Sequence, residues 1–242
     1  MKSNTGEAAA EPMPGPSQAP MAPPASSPPA SSYANDVINM WRTEDSKNYR
    51  YYSGVEDKAH IMWAHQSRFR QCFDELDLEA VVEIACGQGR HTAFAAPLCG
   101  TVWATDTSVD AIAVCKERFK DVPNVNISLV AGDSALPMIE DASITAVFSY
   151  DAMVHFELLT IASYMAELSR ILRPGGRALL HHSNYGDNPT GKFTANPGWR
   201  NFMTFDIMRY LASRNDMKVV KHISFGRKKV PDLDALTTFQ RI

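Results

Sequence analysis

The chain has 242 residues, of which 45% are hydrophobic and 21% charged, with a formal net charge of -3. That composition supports one substantial globular domain and argues against a global field that draws in nucleic acid or an anionic membrane. No apolar run approaches the ~20 residues of a membrane-spanning helix. The amino terminus has no charged start followed by an apolar core and no arginine before Arg42, so a cytoplasmic location is expected.

Residues 1–32 are dominated by Pro, Ala, Ser and Gly and have no aromatic residue. They hold too little large apolar surface to offset the entropy of ordering, which predicts a disordered, locally polyproline-like tail. Composition changes at Tyr33. Residues 33–79 read as a helical cover, with a loop over Asn48–Gly54 and one helix from Glu56 to Phe73. The helix is expected from the spacing of Ala59, Met62, Trp63, Phe69 and Phe73.

From Ala80 to the end, strands and helices alternate. Strands are predicted at Ala80–Ala85, Thr101–Thr105, Asn126–Val130, Ser143–Ser149 and Arg177–His182. The helices between and after them are Gln88–Leu98, Ser108–Lys120, Leu158–Leu172 and Thr204–Arg214. Ser108 caps its helix with Asp110 in the first turn, and Pro174-Gly175-Gly176 stops the third. Lys218–Phe225 and Ala235–Gln240 read as a closing antiparallel pair. Repeated strand–helix units imply an α/β, doubly wound sheet with helices on both faces. Ligands then bind beyond the carboxyl ends of the strands, on the rim formed by the loops after Ile84, Thr105, Val130, Ser149 and His182.

The four cysteines, Cys72, Cys86, Cys99 and Cys115, form no C-x-x-C pair and no zinc-like spacing with histidine, so free thiols and no metal site are expected. The three-residue basic run Arg227-Lys228-Lys229 reads as a solvated loop.

The rim loops carry the chemistry. Val81–His91 reads VVEIACGQGRH: an acid inside an apolar strand, then a loop with Gly87 and Gly89. A pyrophosphate loop of the form G-x-G-x-x-G is not met, because Ala85 and Arg90 stand at its outer glycine positions. Glu83 instead suits a cationic ligand. Asp106 closes the second strand at the spacing where an acid takes ribose hydroxyls, and Asp133 follows the third, where a carboxylate accepts from an exocyclic amine.

VVEIACGQGRH, ATDTS, AGDSALP, VFSYDAMVHF and LRPGG, in that order between Val81 and Ser183, resemble the class I S-adenosylmethionine-dependent methyltransferases. The resemblance implies a Rossmann-like seven-stranded sheet with an antiparallel last strand, and S-adenosylmethionine as cofactor. It implies that Glu83 faces the methionine amine and that Ala85, Gly87 and Gly89 lie against the methionine and ribose. Asp106 would take the ribose hydroxyls, with Thr107 beside the adenine. Asp133 would receive the adenine amine next to Ser134, and Tyr150 would sit beneath the cofactor near the transferring methyl. Where the family most often has glycine, this chain has Ala85, a tolerable change if that position does not need positive φ.

The acceptor is less defined. A hydroxyl acceptor needs a base near the methyl. The candidates are His155 first, His182 second and Asp151 third. His181 and His182 are neighbours in one strand, so only one faces the pocket. Ser149-Tyr150-Asp151-Ala152 is not the Asn/Asp-Pro-Pro-Tyr motif of many base and amide methyltransferases. The aromatics of the loop Asn184–Met203 (Tyr185, Phe193, Trp199, Phe202), with Tyr49, Tyr51 and Tyr52, are expected to roof a pocket for a small molecule. The expected reaction is transfer to a hydroxyl of a sugar or natural product. Alternatives are an N- or C-methyltransferase, or a catalytically silent cofactor-binding scaffold. No nucleic-acid or membrane partner is expected.

Overall fold

In the computed structural model, residues 56–242 are described, apart from Lys228, together with positions 39 and 54. The proline-rich tail and the aromatics Tyr49, Tyr51 and Tyr52 fall outside the described residues.

The expected helix over Glu56–Phe73 is two short helices, α1 (Ala59–Trp63) and α2 (Arg68–Phe73). Ala64 leaves helical geometry at ψ 139, and Ser67 starts a new helix. The Ser67 hydroxyl accepts from Arg70 N at 3.0 Å and donates to the Met62 carbonyl, so a single side chain caps one helix and ties it to the other. Apolar spacing alone cannot register such a break.

Seven strands follow: β1 (Ala80–Ile84), β2 (Thr101–Asp106), β3 (Val125–Leu129), β4 (Ile144–Ser149), β5 (Leu172–Ser183), β6 (Met217–Arg227) and β7 (Val230–Arg241). They form one sheet in the order β3-β2-β1-β4-β5-β7-β6. The pairs β1–β2, β1–β4, β2–β3 and β4–β5 are parallel, while β7 runs antiparallel between β5 and β6. The expected fold class, with its antiparallel last strand, is therefore borne out. The order reverses between β1 and β4, which places the switch point where the acid-and-glycine loop leaves β1.

Between the strands lie α3 (Thr92–Ala95), α4 (Val109–Arg118), α5 (Leu158–Ile171) and α6 (Phe205–Arg214). The helix expected from Gln88 starts only at Thr92, because Gly89 holds φ +78, and it tightens into a 3-10 turn at Ala96–Leu98 around Pro97. Ser108 caps α4 and Thr204 caps α6, each side chain accepting from the backbone three residues on.

Alternation along the strands splits the core. Val82, Ile84, Val147, Leu180 and Phe239 face α5 and α6, packing with Met165 and Leu168. Val81, Phe148, Leu179 and Leu236 face the other way, against Trp63, Phe69 and Phe73. Trp63 stacks on Phe94 with centroids 5.6 Å apart and meets Phe73 edge-on at 4.8 Å. The helical cover thus closes one face of the sheet and shares its core. No helix among the described residues is long and apolar enough to cross a membrane.

Candidate active site

The loop after β1 turns through three residues with positive φ: Ala85 (59), Gly87 (56) and Gly89 (78). Ala85 therefore does occupy the left-handed region, contrary to the condition under which its methyl group would be free of strain. A Cβ on Gly89 would come within 2.4 Å of the Phe119 ring, so that glycine is demanded by packing on α4 as well as by φ. The Cys115 thiol donates to the Gly87 carbonyl at 3.1 Å and pins the loop from the same helix.

The acids converge on this loop. Glu83 is buried and accepts from the Thr92 hydroxyl at 2.5 Å. Burial pushes its carboxyl up to about 8, against the pull of Thr92 and of the Arg90 guanidinium. Asp106 accepts from Gly87 N through Oδ2 and from Ser108 N through Oδ1, both at 2.8 Å. These two bonds fix the direction of the carboxylate. Thr107 follows it on the rim. Asp133 is exposed and accepts from Ala135 N at 3.1 Å. Ser134 is buried at φ 72, its hydroxyl donating to the Thr160 carbonyl. Carboxylates at the ends of β1 and β2 and after β3, with a left-handed backbone loop between them, match an ammonium, a diol and an amine. They repel a phosphate. S-adenosylmethionine fits that donor and acceptor set.

Beyond β4, Tyr150 lies between rings. Its centroid is 4.6 Å from His181 in a stack, 4.6 Å from Phe69 and 5.3 Å from His91, and its hydroxyl donates to Met62 Sδ. Burial raises its phenol to about 12, so it stays protonated. Asp151 takes the left-handed conformation at φ 59 and donates its N–H to His181 Nδ1 at 3.0 Å, which puts the ring proton on Nε2. That nitrogen faces Asp234 Oδ2 at 3.4 Å. Burial opposes ionisation of Asp151, but His181, Arg227 and Arg90 outweigh it and hold the carboxyl at about 2.

His155 ends a 3-10 turn over Met153–His155 and is buried. Its Nδ1 donates to the Trp199 carbonyl at 2.7 Å, so Nε2 carries the basic lone pair. Burial lowers the ring to about 4, the Trp199 contact opposing it. His182 lies on the opposite face of β5 from His181, inside the core. Its Nδ1 meets the Ser183 carbonyl at 2.7 Å and its Nε2 the Thr237 hydroxyl at 2.8 Å. The strand pair thus resolves opposite to the expected order: His181, not His182, faces Tyr150 and Asp151. Alternation offered both choices, and the pairing of His181 with Leu236 decided it.

Two features escaped the sequence reading. Arg227 ends β6 rather than lying in a loop, and although exposed it places its Nη1 2.9 Å from Asp151 Oδ1. The long loop after β5 is no loose lid either. Arg200 is buried and grips both oxygens of Asp234 at 2.7 and 2.6 Å, and Asn201 Nδ2 donates to the His155 carbonyl at 2.9 Å. Phe193 is buried while Trp199 is exposed, so the loop's aromatics do not line up as one roof. No group of three metal-ligating side chains occurs among the described residues.

Residues 81–176 match the family model described as "Methyltransferase domain". The chain is 25% identical over 152 residues to the methyltransferase GfsG of Streptomyces halstedii, covering 61% of this chain and 54% of that protein. It is 27% identical over 165 residues to the ubiquinone/menaquinone biosynthesis C-methyltransferase UbiE of Burkholderia vietnamiensis, covering 65% of this chain and 63% of that one. The chain therefore spans between half and two thirds of the length of these curated relatives. Among solved structures it resembles the geranyl diphosphate C-methyltransferase of Streptomyces coelicolor, crystallised with Mg2+, geranyl diphosphate and S-adenosyl-L-homocysteine. The TM-score is 0.65 and the identity 15%, over 89% of this chain and 100% of that one, a likeness of fold. The sheet order and the matched segment agree: residues 81–176 match a methyltransferase domain, set in a fold like that of solved S-adenosylmethionine-dependent methyltransferases.

Proposed function

We propose that the protein transfers a methyl group from S-adenosylmethionine to a small molecule. The observation that carries this reading is the Asp106 carboxylate, which holds the Gly87 N–H at the switch point beside buried Glu83 and its left-handed loop. When bound, the cofactor supplies the electrophilic methyl. The protein's work is then alignment and exclusion of water. Glu83 faces the ammonium end, Ala85, Gly87 and Gly89 give close backbone approach, and Asp106 receives the ribose hydroxyls with Thr107 alongside. Asp133 and Ser134 border the adenine. Tyr150 floors the methyl position, held by its stack on His181.

For the acceptor we take a hydroxyl of a sugar or natural product, with His155 Nε2 removing its proton. The lowered value of His155 keeps the ring unprotonated at neutral pH. His182, with both ring nitrogens engaged in the core, and Asp151, bound to Arg227, are less available as bases. A carbon acceptor is the second reading, favoured by the C-methyltransferases among the similar proteins.

Calorimetric titration with S-adenosylmethionine, S-adenosylhomocysteine and NAD tests the cofactor. Binding of the first two and not of NAD is expected, and failure of both adenosyl ligands would leave a silent scaffold. With [13C-methyl]-S-adenosylmethionine, the chemical shift of the product methyl separates oxygen from carbon. His155→Ala is expected to lower kcat by about a hundredfold or more on a hydroxyl substrate, with cofactor affinity unchanged. Full activity would remove His155 as base.

A further inference from the structure

Around Tyr150, guanidinium groups converge on Asp151 and Asp234. Arg227 Nη1 lies 2.9 Å from Asp151 Oδ1 and 3.9 Å from Asp234 Oδ2. Arg90 Nη2 is 3.8 Å from Asp151 Oδ2, and Arg200 takes both oxygens of Asp234. Arg227 thus shares both of its carboxylates with other guanidinium groups. Both of the Arg227 contacts use one nitrogen, and its Nε and Nη2 have no hydrogen bond among the described residues. Its side chain is 44% exposed, so a ligand can reach it. The neighbouring wall is aromatic, since Phe225 and Tyr150 stack on His181 at 5.5 and 4.6 Å.

His91 provides an independent sign. Its Nδ1 accepts the Trp63 indole N–H at 2.9 Å, which places the ring proton on Nε2. That N–H is buried and has no partner among the described residues. A buried donor left unpaired is costly, and this one sits on a ring 5.3 Å from Tyr150. An oxygen with lone pairs and negative charge would pair both the His91 donor and the unused nitrogens of the Arg227 guanidinium.

We infer that the methyl acceptor carries an anionic oxygen group, a carboxylate or phosphate, received beside Tyr150 by the His91 Nε2–H and the Arg227 guanidinium. Arg90 contributes charge at longer range. The inference rests on the methyltransferase reading, because it assigns the acceptor side of that site. It makes Arg227 and His91 specificity-determining residues, a role that the sequence motifs assign to neither.

The test uses the full chain saturated with S-adenosylhomocysteine. Benzoate and phenyl phosphate are titrated against their uncharged counterparts, benzamide and benzyl alcohol. The anions are expected to bind about tenfold tighter or more, and their order tells carboxylate from phosphate. Arg227→Met is expected to remove that preference while leaving S-adenosylhomocysteine affinity unchanged. In a 15N-correlated spectrum the His91 Nε2–H resonance should move on adding the preferred anion to the wild-type protein. Equal binding of charged and uncharged probes, no binding of either anion to the saturated protein, or a preference that survives Arg227→Met would each overturn the inference. Failure of S-adenosylhomocysteine to bind at all would instead strike the methyltransferase reading beneath it.

Discussion

Ala85 has φ +59, a conformation in which a Cβ crowds the following carbonyl at a cost of about 1–2 kcal/mol. The loop adopts it because Asp106 takes Gly87 N and Thr105 O takes Cys86 N at 3.0 Å, which fix the chain on both sides of the turn. Ala85→Gly is therefore expected to stabilise the protein by about 1 kcal/mol, even though glycine usually loses entropy on folding. A lower urea midpoint in the variant would show that the turn is unstrained. Glu83, raised to about 8, is largely protonated at pH 7. An ammonium group brought beside it favours the carboxylate, so cofactor binding at pH 7 should release a proton. Calorimetry in buffers of different ionisation enthalpy measures that release, and buffer-independent heats would count against Glu83 facing the amine.

Among the elements, the segment between β5 and α6 is held by its side chains. Arg200 and Asp234 are buried at 3% and 0% exposure and pair through two parallel hydrogen bonds. Burial works against ionisation of Asp234, but the Arg200 fork and His181 outweigh it and hold the carboxyl well below the usual range. Arg200→Ala leaves that carboxylate in the core with His181 Nε2 at 3.4 Å and Arg227 at 3.9 Å, neither a close paired contact, and is expected to cost about 3–5 kcal/mol. A shift of the denaturation midpoint worth under about 1 kcal/mol would mean that water or Arg227 takes over. The same segment carries Asn201 and Trp199 onto His155, so its loosening should also disturb the proposed base.

For the whole molecule, three of the four histidines buried among the described residues set the acid limit. Burial lowers His91 to about 3, and His155 and His182 to about 4, from an ordinary 6.5. Each folded value lies below its unfolded one, so the neutral rings contribute stability above pH 6.5 that is lost as pH falls through about 4 to about 3. Glu83 acts in the opposite sense. Its contribution is complete below its ordinary 4.5 and is lost as pH rises through about 8. Stability should therefore peak near neutral or slightly acid pH, with up to three protons taken up on acid unfolding. Urea midpoints measured from about pH 8 down to about pH 4 check this. A flat profile below pH 6.5 would mean that the rings are hydrated in the folded protein.

The order of strands and helices, the acids Glu83, Asp106 and Asp133, and the glycine loop were legible in the residues, because periodicity and local turn chemistry act over a few positions. Buried strands read as apolar runs, and Ser108 caps a helix wherever that helix packs. What the residues left open depended on partners far along the chain. The Ser67 link to Met62 broke one expected helix into two. Pairing of β5 with β7 turned His181 toward Tyr150 and sent His182 into the core. Asp151 brought Arg227 to the site from 76 positions away, a contact no spacing rule contains. The sequence by itself determined the architecture and the proposed cofactor end of the site, since both rest on local pattern and motif. Only the tertiary structure decided which groups gather at the proposed acceptor end, because its charges and rings come from strands that meet only when the sheet closes.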